Sequence, residues 1–101
     1  MGRALSVSRA EVGPSNQAAY LELLGQLAAR LRSRGQSLWL FRHPTLHDTF
    51  LEFSESPTRE QHRSLAAREA DEADLEVRLQ RLAAYAPDSW ILWEEVPLGK
   101  R

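Results

Sequence analysis

The residues able to do chemistry in this 101-residue chain are few: three histidines, fourteen acids, twelve arginines and one lysine, with no cysteine. Lacking Cys, it can form no disulfide framework, thiolate nucleophile, or Cys-ligated zinc or iron–sulfur cluster. His43 and His47 stand four residues apart, the spacing that puts two metal ligands on one helix face. Pro44 lies between them in a turn-like segment, so the pair reads as polar turn residues and no metal site is expected. His62 reads as a solvated or interface histidine. Glu52 is more informative, because alternation sets it on one strand face with the aromatics Trp39, Phe41 and Phe50. Desolvation there would raise its pKa and suit it to proton transfer, whereas a cross-strand arginine would make it structural. His43, on the same face of the neighbouring strand, would complete an acid–base pair. The candidate catalytic residues are therefore Glu52 and His43, and the candidate ligand-binding residues are Trp39, Phe41, Phe50 and Ser54. Neither a glycine-rich phosphate loop nor a Gly-x-Ser-x-Gly elbow is present, nor any Ser/His/Asp arrangement of known spacing.

Elements to position these residues follow from periodicity. Leu5, Val7 and Arg9 alternate with Ser6, Ser8 and Ala10, predicting a strand over 4–12. Gly13-Pro14-Ser15-Asn16 breaks the pattern, and Tyr20, Leu23, Leu24, Leu27, Ala28 and Leu31 then form one helical stripe. The helix is expected over 15–34, with Arg30, Arg32 and Arg34 at its C-terminal end and Gly35 as its left-handed stop. Segments 37–43 and 48–54 predict a hairpin around His43-Pro44. Thr58 and Gln61 form a capping box for a second helix. A continuous helix over 58–86 would be about 43 Å long at 1.5 Å per residue, too long for a domain this size, so a break is expected within 69–74. Residues 89–96 predict the last strand, ahead of a tail over 97–101.

The order β-α-β-β-α-(α)-β predicts one ferredoxin-like α+β domain over residues 1–101: a four-stranded antiparallel sheet with helices on one face. Hydropathy assigns Leu5, Val7, Leu38, Leu40, Leu51 and Phe53 to the helix side. Ser6, Ser8, Ala10, Trp39, Phe41, His43, Phe50, Glu52 and Ser54 then fall on the uncovered face, while both phases of the last strand are apolar. A face bearing Trp39, Phe41 and Phe50 is too apolar for water, so a second copy is expected to cover it and enclose a cavity.

Two stretches carry a family resemblance, Arg34-Gly35-Gln36-Ser37-Leu38-Trp39-Leu40-Phe41-Arg42 and Phe50-Leu51-Glu52-Phe53-Ser54-Glu55-Ser56-Pro57-Thr58-Arg59-Glu60-Gln61-His62. The chain resembles the dimeric α+β barrel proteins, in particular small antibiotic-biosynthesis-monooxygenase-type domains. A Gly before strand two, an acid in strand three and a following His are common there. Gly35, Glu52 or Glu55, and His62 stand in comparable places. Ser56 replaces the usual aromatic after the acid, and 69–85 is longer than the pattern. The resemblance implies a homodimer with a small, apolar or aromatic ligand between its sheets, and chemistry ranging from cofactor-free oxygenation to none. Haem is not expected, since no histidine has a supporting motif, and no cofactor is assigned.

Net charge is −1. That balance lacks the basic footprint of nonspecific nucleic-acid or anionic-membrane binding. There is no stretch of about 18 apolar residues and no signal-peptide h-region, so a cytoplasmic protein is expected. The rival expectation is a non-catalytic module whose open sheet face serves only dimerisation or protein contact.

Overall fold

The computed structural model describes residues 2–62 and 69–99. Strand β1 is Ala4–Glu11, and Gly13 precedes a single 3-10 turn at Pro14–Asn16 that leads into helix α1, Gln17–Arg32. Helix α1 buries Tyr20, Leu23, Leu24, Leu27 and Leu31, the stripe its periodicity specified. It closes with Gly35 N–H donating to Arg32 O and Gln36 N–H to Leu31 O, a paired closure that needs the left-handed φ of +76° found at Gly35. Gly35→Ala is expected to cost about 1 kcal/mol in urea unfolding, the strain of a side chain in that region.

Strands β2, Ser37–Arg42, and β3, Thr49–Ser56, form the expected hairpin. The sheet order is β2-β3-β1, all antiparallel, with Ser8 opposite Glu52 and Leu40 opposite Glu52 on the other side. Two short strands, β4 (Ala84–Tyr85) and β5 (Trp93–Glu94), share the remaining edge of β1. Between their ladders β1 uses Ser6 to Arg9, while the C-terminal segment uses Ala86 to Leu92, so the fourth strand is broken by an excursion. The expected strand over 89–96 is thus cut to Trp93–Glu94. Pro87 lacks an N–H for the ladder, and Asp88 and Ser89 form a turn in which Ser89 N–H donates to Ala86 O.

Helix α2, Ala70–Leu82, starts inside the expected break, with Glu69 extended at its N-cap and Asp71 and Glu72 in its first turn. It stops four residues before Ala86. The Thr58 hydroxyl accepts from Gln61 N–H at 3.3 Å as the capping box requires, yet residues 58–62 form turns rather than a helix. The rest of that expected helix, 63–68, lies outside the described residues.

Two ion pairs fasten the start of α2 to the end of α1: Arg30 with Asp71, and Arg34 Nη2 with Glu72 Oε1 at 2.8 Å. The Glu72 side chain is only 2% exposed, so its partner is its compensation for lost water. Arg34→Ala is expected to cost about 2 kcal/mol, below the usual range for stranding a buried ion because the guanidinium itself is partly solvated. Urea unfolding measures it.

The helices cover one face of the sheet, and burial shows which. Ala4, Ser6, Ser8 and Ala10 of β1 and Phe50, Glu52, Ser54 and Ser56 of β3 are buried, while Leu5, Val7, Leu51 and Phe53 are only half-buried. The hydropathy assignment is therefore reversed on β1 and β3 and correct on β2, where Leu38 and Leu40 pack against the core and Trp39 and Phe41 face out. The helix stripe brings its own bulk, including Tyr20 against Phe50 at 5.3 Å between ring centroids. Small residues beneath it leave room for that bulk.

Candidate functional site

The reversal separates the expected site residues. Trp39 and Phe41 lie on the open face, 47% and 59% exposed, beside Leu5, Phe53 and Trp93, the last also 59% exposed. Phe41 meets Phe53 edge-on at 5.4 Å. A hollow of about 420 Å³ lies between Leu5, Trp39, Phe53 and Trp93. Its rim is charged: Arg3 donates to Glu55 at 2.8 Å and to Glu95 at 3.1 Å. Hydrogen bonds from Arg3 hold the Glu95 carboxyl below its usual range. His43 lies at the end of β2 beside Phe41. Its Nδ1 accepts from the N–H groups of Thr45 and Leu46, at 3.1 and 3.0 Å, so it ties down the hairpin turn. His47 contacts Pro44 O within the same turn, and no cluster of metal-ligating side chains occurs among the described residues.

Phe50, Glu52 and Ser54, expected on that open face, lie on the other side of the sheet under the helices. His43 and Glu52 are not brought together, because the sheet stands between their side chains. Glu52 is 2% exposed. Its Oε2 accepts from two phenols, Tyr20 of α1 and Tyr85 of β4, each at 2.6 Å. Its Oε1 has no hydrogen-bond partner among the described residues. Around it lies a polar band. Ser8, opposite Glu52 in the ladder, donates to Ser89 O at 3.0 Å, and the ring Nε2 of His62 contacts Ser54 O at 3.1 Å. The hydroxyls of Ser54 and Ser89 are also buried without a hydrogen-bond partner among the described residues. Native interiors leave few such groups, so three in one neighbourhood mark it as unlike the rest of the core.

Burial, aided by the facing Glu52 charge, pushes the Tyr20 phenol far above its ordinary range. The sign follows: unfolding releases a group that ionises near pH 10, so the folded state holds the extra proton and stability falls as pH rises beyond that value. The unfolding free energy should decline by up to about 1.4 kcal/mol per pH unit above pH 10 from this group. In Tyr20→Phe that slope should lose one proton, as read from urea midpoints between pH 9 and 11.

Sequence reasoning missed Tyr20, Tyr85 and Ser89. Tyr20 had a signal, being the hydroxyl-bearing member of an otherwise aliphatic helical stripe. Ser89 had none, since its position depends on the excursion of the broken strand.

A helix-covered antiparallel sheet with β1 paired to β3 and to the C-terminal strands defines a ferredoxin-like α+β fold. It is the fold of the antibiotic-biosynthesis-monooxygenase-type domains, as comparison with solved structures shows. A cofactor-independent oxygenase from Streptomyces nogalater superposes with a TM-score of 0.75 at 14% identity, covering 99% of this chain and 97% of that one. A protein of Chloroflexus aurantiacus assigned to the antibiotic-biosynthesis monooxygenases gives 0.71 at 17%, covering 98% and 96%. A conserved Bacteroides thetaiotaomicron protein of unknown function gives 0.69 at 17%, covering 93% and 96%. No family model matches the sequence, and no curated protein does. Among the described residues no helix is long and apolar enough to cross a membrane.

Proposed function

We propose that the chain works as a homodimer joined through its open sheet face, and that each protomer takes a small apolar or aromatic molecule as a cofactor-independent, monooxygenase-like enzyme. The observation that carries the enzymatic part is Glu52: a buried carboxylate with one oxygen loaded by two phenols and the other unengaged. Such a group can take a proton from an activated hydroxyaromatic substrate, as general bases do, within a site whose walls exclude water. The electron-rich anion then reduces dioxygen. One oxygen atom becomes a carbonyl on the carbon that loses its two hydrogens, and the other leaves as water. The similarity to the Streptomyces nogalater oxygenase supports this chemistry.

The open face supports a different role. Of its expected polar residues, Ser6, Ser8, Glu52 and Ser54 lie on the other side of the sheet and His43 is tied into the hairpin turn, leaving Trp39, Phe41, Phe53 and Trp93 with a charged rim, which suits a protein interface. The ligand is therefore assigned to the helix side of each protomer instead of the space between sheets. The same aromatics favour the second reading, a non-catalytic dimerisation module.

Oxygen uptake with a panel of quinols and polyketide-like hydroxyaromatics tests the enzyme. Glu52→Gln should lower turnover by about 10²-fold or more, the usual worth of a general base. Unchanged turnover would remove Glu52 from the chemistry, and no uptake with any member of the panel would leave the dimerisation module.

A further inference from the structure

If Glu52 is the working carboxylate of the proposed enzyme, the buried polar groups around it decide which ligand it can meet. Tyr20 and Tyr85 approach from different elements, α1 and β4, and both donate to the same oxygen. A carboxylate held by two donors on Oε2 has a fixed rotation, so Oε1 is aimed by them rather than free to turn. Oε1 accepts and cannot donate. The neighbouring unpartnered groups differ from it: the Ser54 and Ser89 hydroxyls can donate as well as accept. The strand register and one backbone contact bring their residues into the neighbourhood of Glu52. Ser54 is two residues along β3 from Glu52 on the same face, and Ser89 is bound through its carbonyl to Ser8, the cross-strand neighbour of Glu52. Among the described residues no cation contacts Glu52, so nothing there would offset a second negative charge.

We propose that Tyr20 and Tyr85 are positioning residues that present Glu52 Oε1, with the Ser54 and Ser89 hydroxyls, as a cradle for a neutral ligand group carrying a hydrogen-bond donor next to an acceptor. A carboxamide or a hydroxy-carbonyl unit has that pattern. The donor meets Oε1 and the carbonyl oxygen meets a serine hydroxyl. A carboxylate of the same shape is rejected, since it offers no donor and brings a like charge.

Benzamide and benzoate are the matched probes, titrated into the ¹⁵N-labelled full chain and followed by amide shifts. Benzamide should bind saturably with its largest shifts around Glu52, Ser54 and Ser89, and benzoate at least tenfold more weakly. Ser54→Ala should weaken benzamide severalfold. Tyr85→Phe, checked as folded by near-ultraviolet circular dichroism, should weaken benzamide to a similar extent while Tyr20 still anchors Oε2; a purely structural Tyr85 would leave the affinity unchanged. Equal binding of the two probes, shifts confined to the open face, insensitivity to both substitutions, or no binding at all would each overturn the proposal, the last meaning that solvent serves these atoms. Oxygen uptake reports separately: benzamide selectivity without turnover sinks the enzyme reading alone, and turnover lost in Glu52→Gln without benzamide selectivity sinks only the cradle.

Discussion

Phe41→Glu is expected to hold the protein as a monomer at concentrations where the proposed homodimer of the unmodified chain should form. Phe41 is 59% exposed in the protomer and packs edge-on against Phe53, so the substitution costs the isolated fold little. Across a two-fold interface the effect is doubled, because the residue occurs in both partners. Each new carboxylate would be taken out of water into an apolar contact. Burying an unpaired charge costs several kcal/mol, and about 4 kcal/mol is a thousandfold in dissociation constant. Sedimentation equilibrium would show it. Val77→Glu is the control: Val77 is 47% exposed on α2, one of the helices that cover the opposite face of the sheet, so the same charge there should leave association intact. Dimers of equal strength in both variants would place the interface elsewhere, and a monomeric unmodified chain at micromolar concentration would remove the interface altogether.

The sequence carried the element order and lost the sheet's two sides, for one physical reason. On β1 the alternation separates Leu5, Val7 and Arg9 from Ala4, Ser6, Ser8 and Ala10, and hydropathy sends the larger apolar set inward. In the fold the small set is inward. A strand between two apolar layers has no single apolar face, so hydropathy alone does not choose its phase. The error on β3 is the same one repeated: Ser8 pairs with Glu52, so once β1 is turned over β3 turns with it. On β2 both phases are apolar, and the choice of Leu38 and Leu40 happened to match. Helix α1 was legible because its stripe has only one apolar side. The broken fourth strand was not, since Trp90 and Ile91 have strand propensity while Pro87 and the Ser89 contact to Ser8 decide their backbone. Glu52 was singled out from its type and from an expected place on the open face beside Trp39 and Phe41, whereas it is buried on the helix side. Its partners were not singled out, because Tyr20 and Tyr85 are 32 and 33 residues away and meet it only through the fold.

Glu52→Leu separates what that carboxylate does for stability from what it does for a ligand. The substitution strands the fully buried Tyr20 hydroxyl and removes an acceptor from Tyr85, and an unsatisfied buried group costs about 1–3 kcal/mol. A loss of about 3 kcal/mol is expected in urea unfolding, a large part of the roughly 5–15 kcal/mol that holds a domain together. Removing the hydroxyls as well should reverse much of it. In the triple variant Glu52→Leu, Tyr20→Phe, Tyr85→Phe the carboxylate and both phenols that bind it are gone together, and replacing the members of a hydrogen-bonded set by apolar groups of similar shape is often nearly neutral. The effects are thus expected to be strongly non-additive, with the triple variant more stable than Glu52→Leu alone. Stability equal to or below that of Glu52→Leu would mean the three groups do not act as one unit. Activity should not follow stability. Oxygen uptake and benzamide binding both need Oε1, so the triple variant should stay inert although its fold is restored, whereas a cluster kept only for packing would recover every property together.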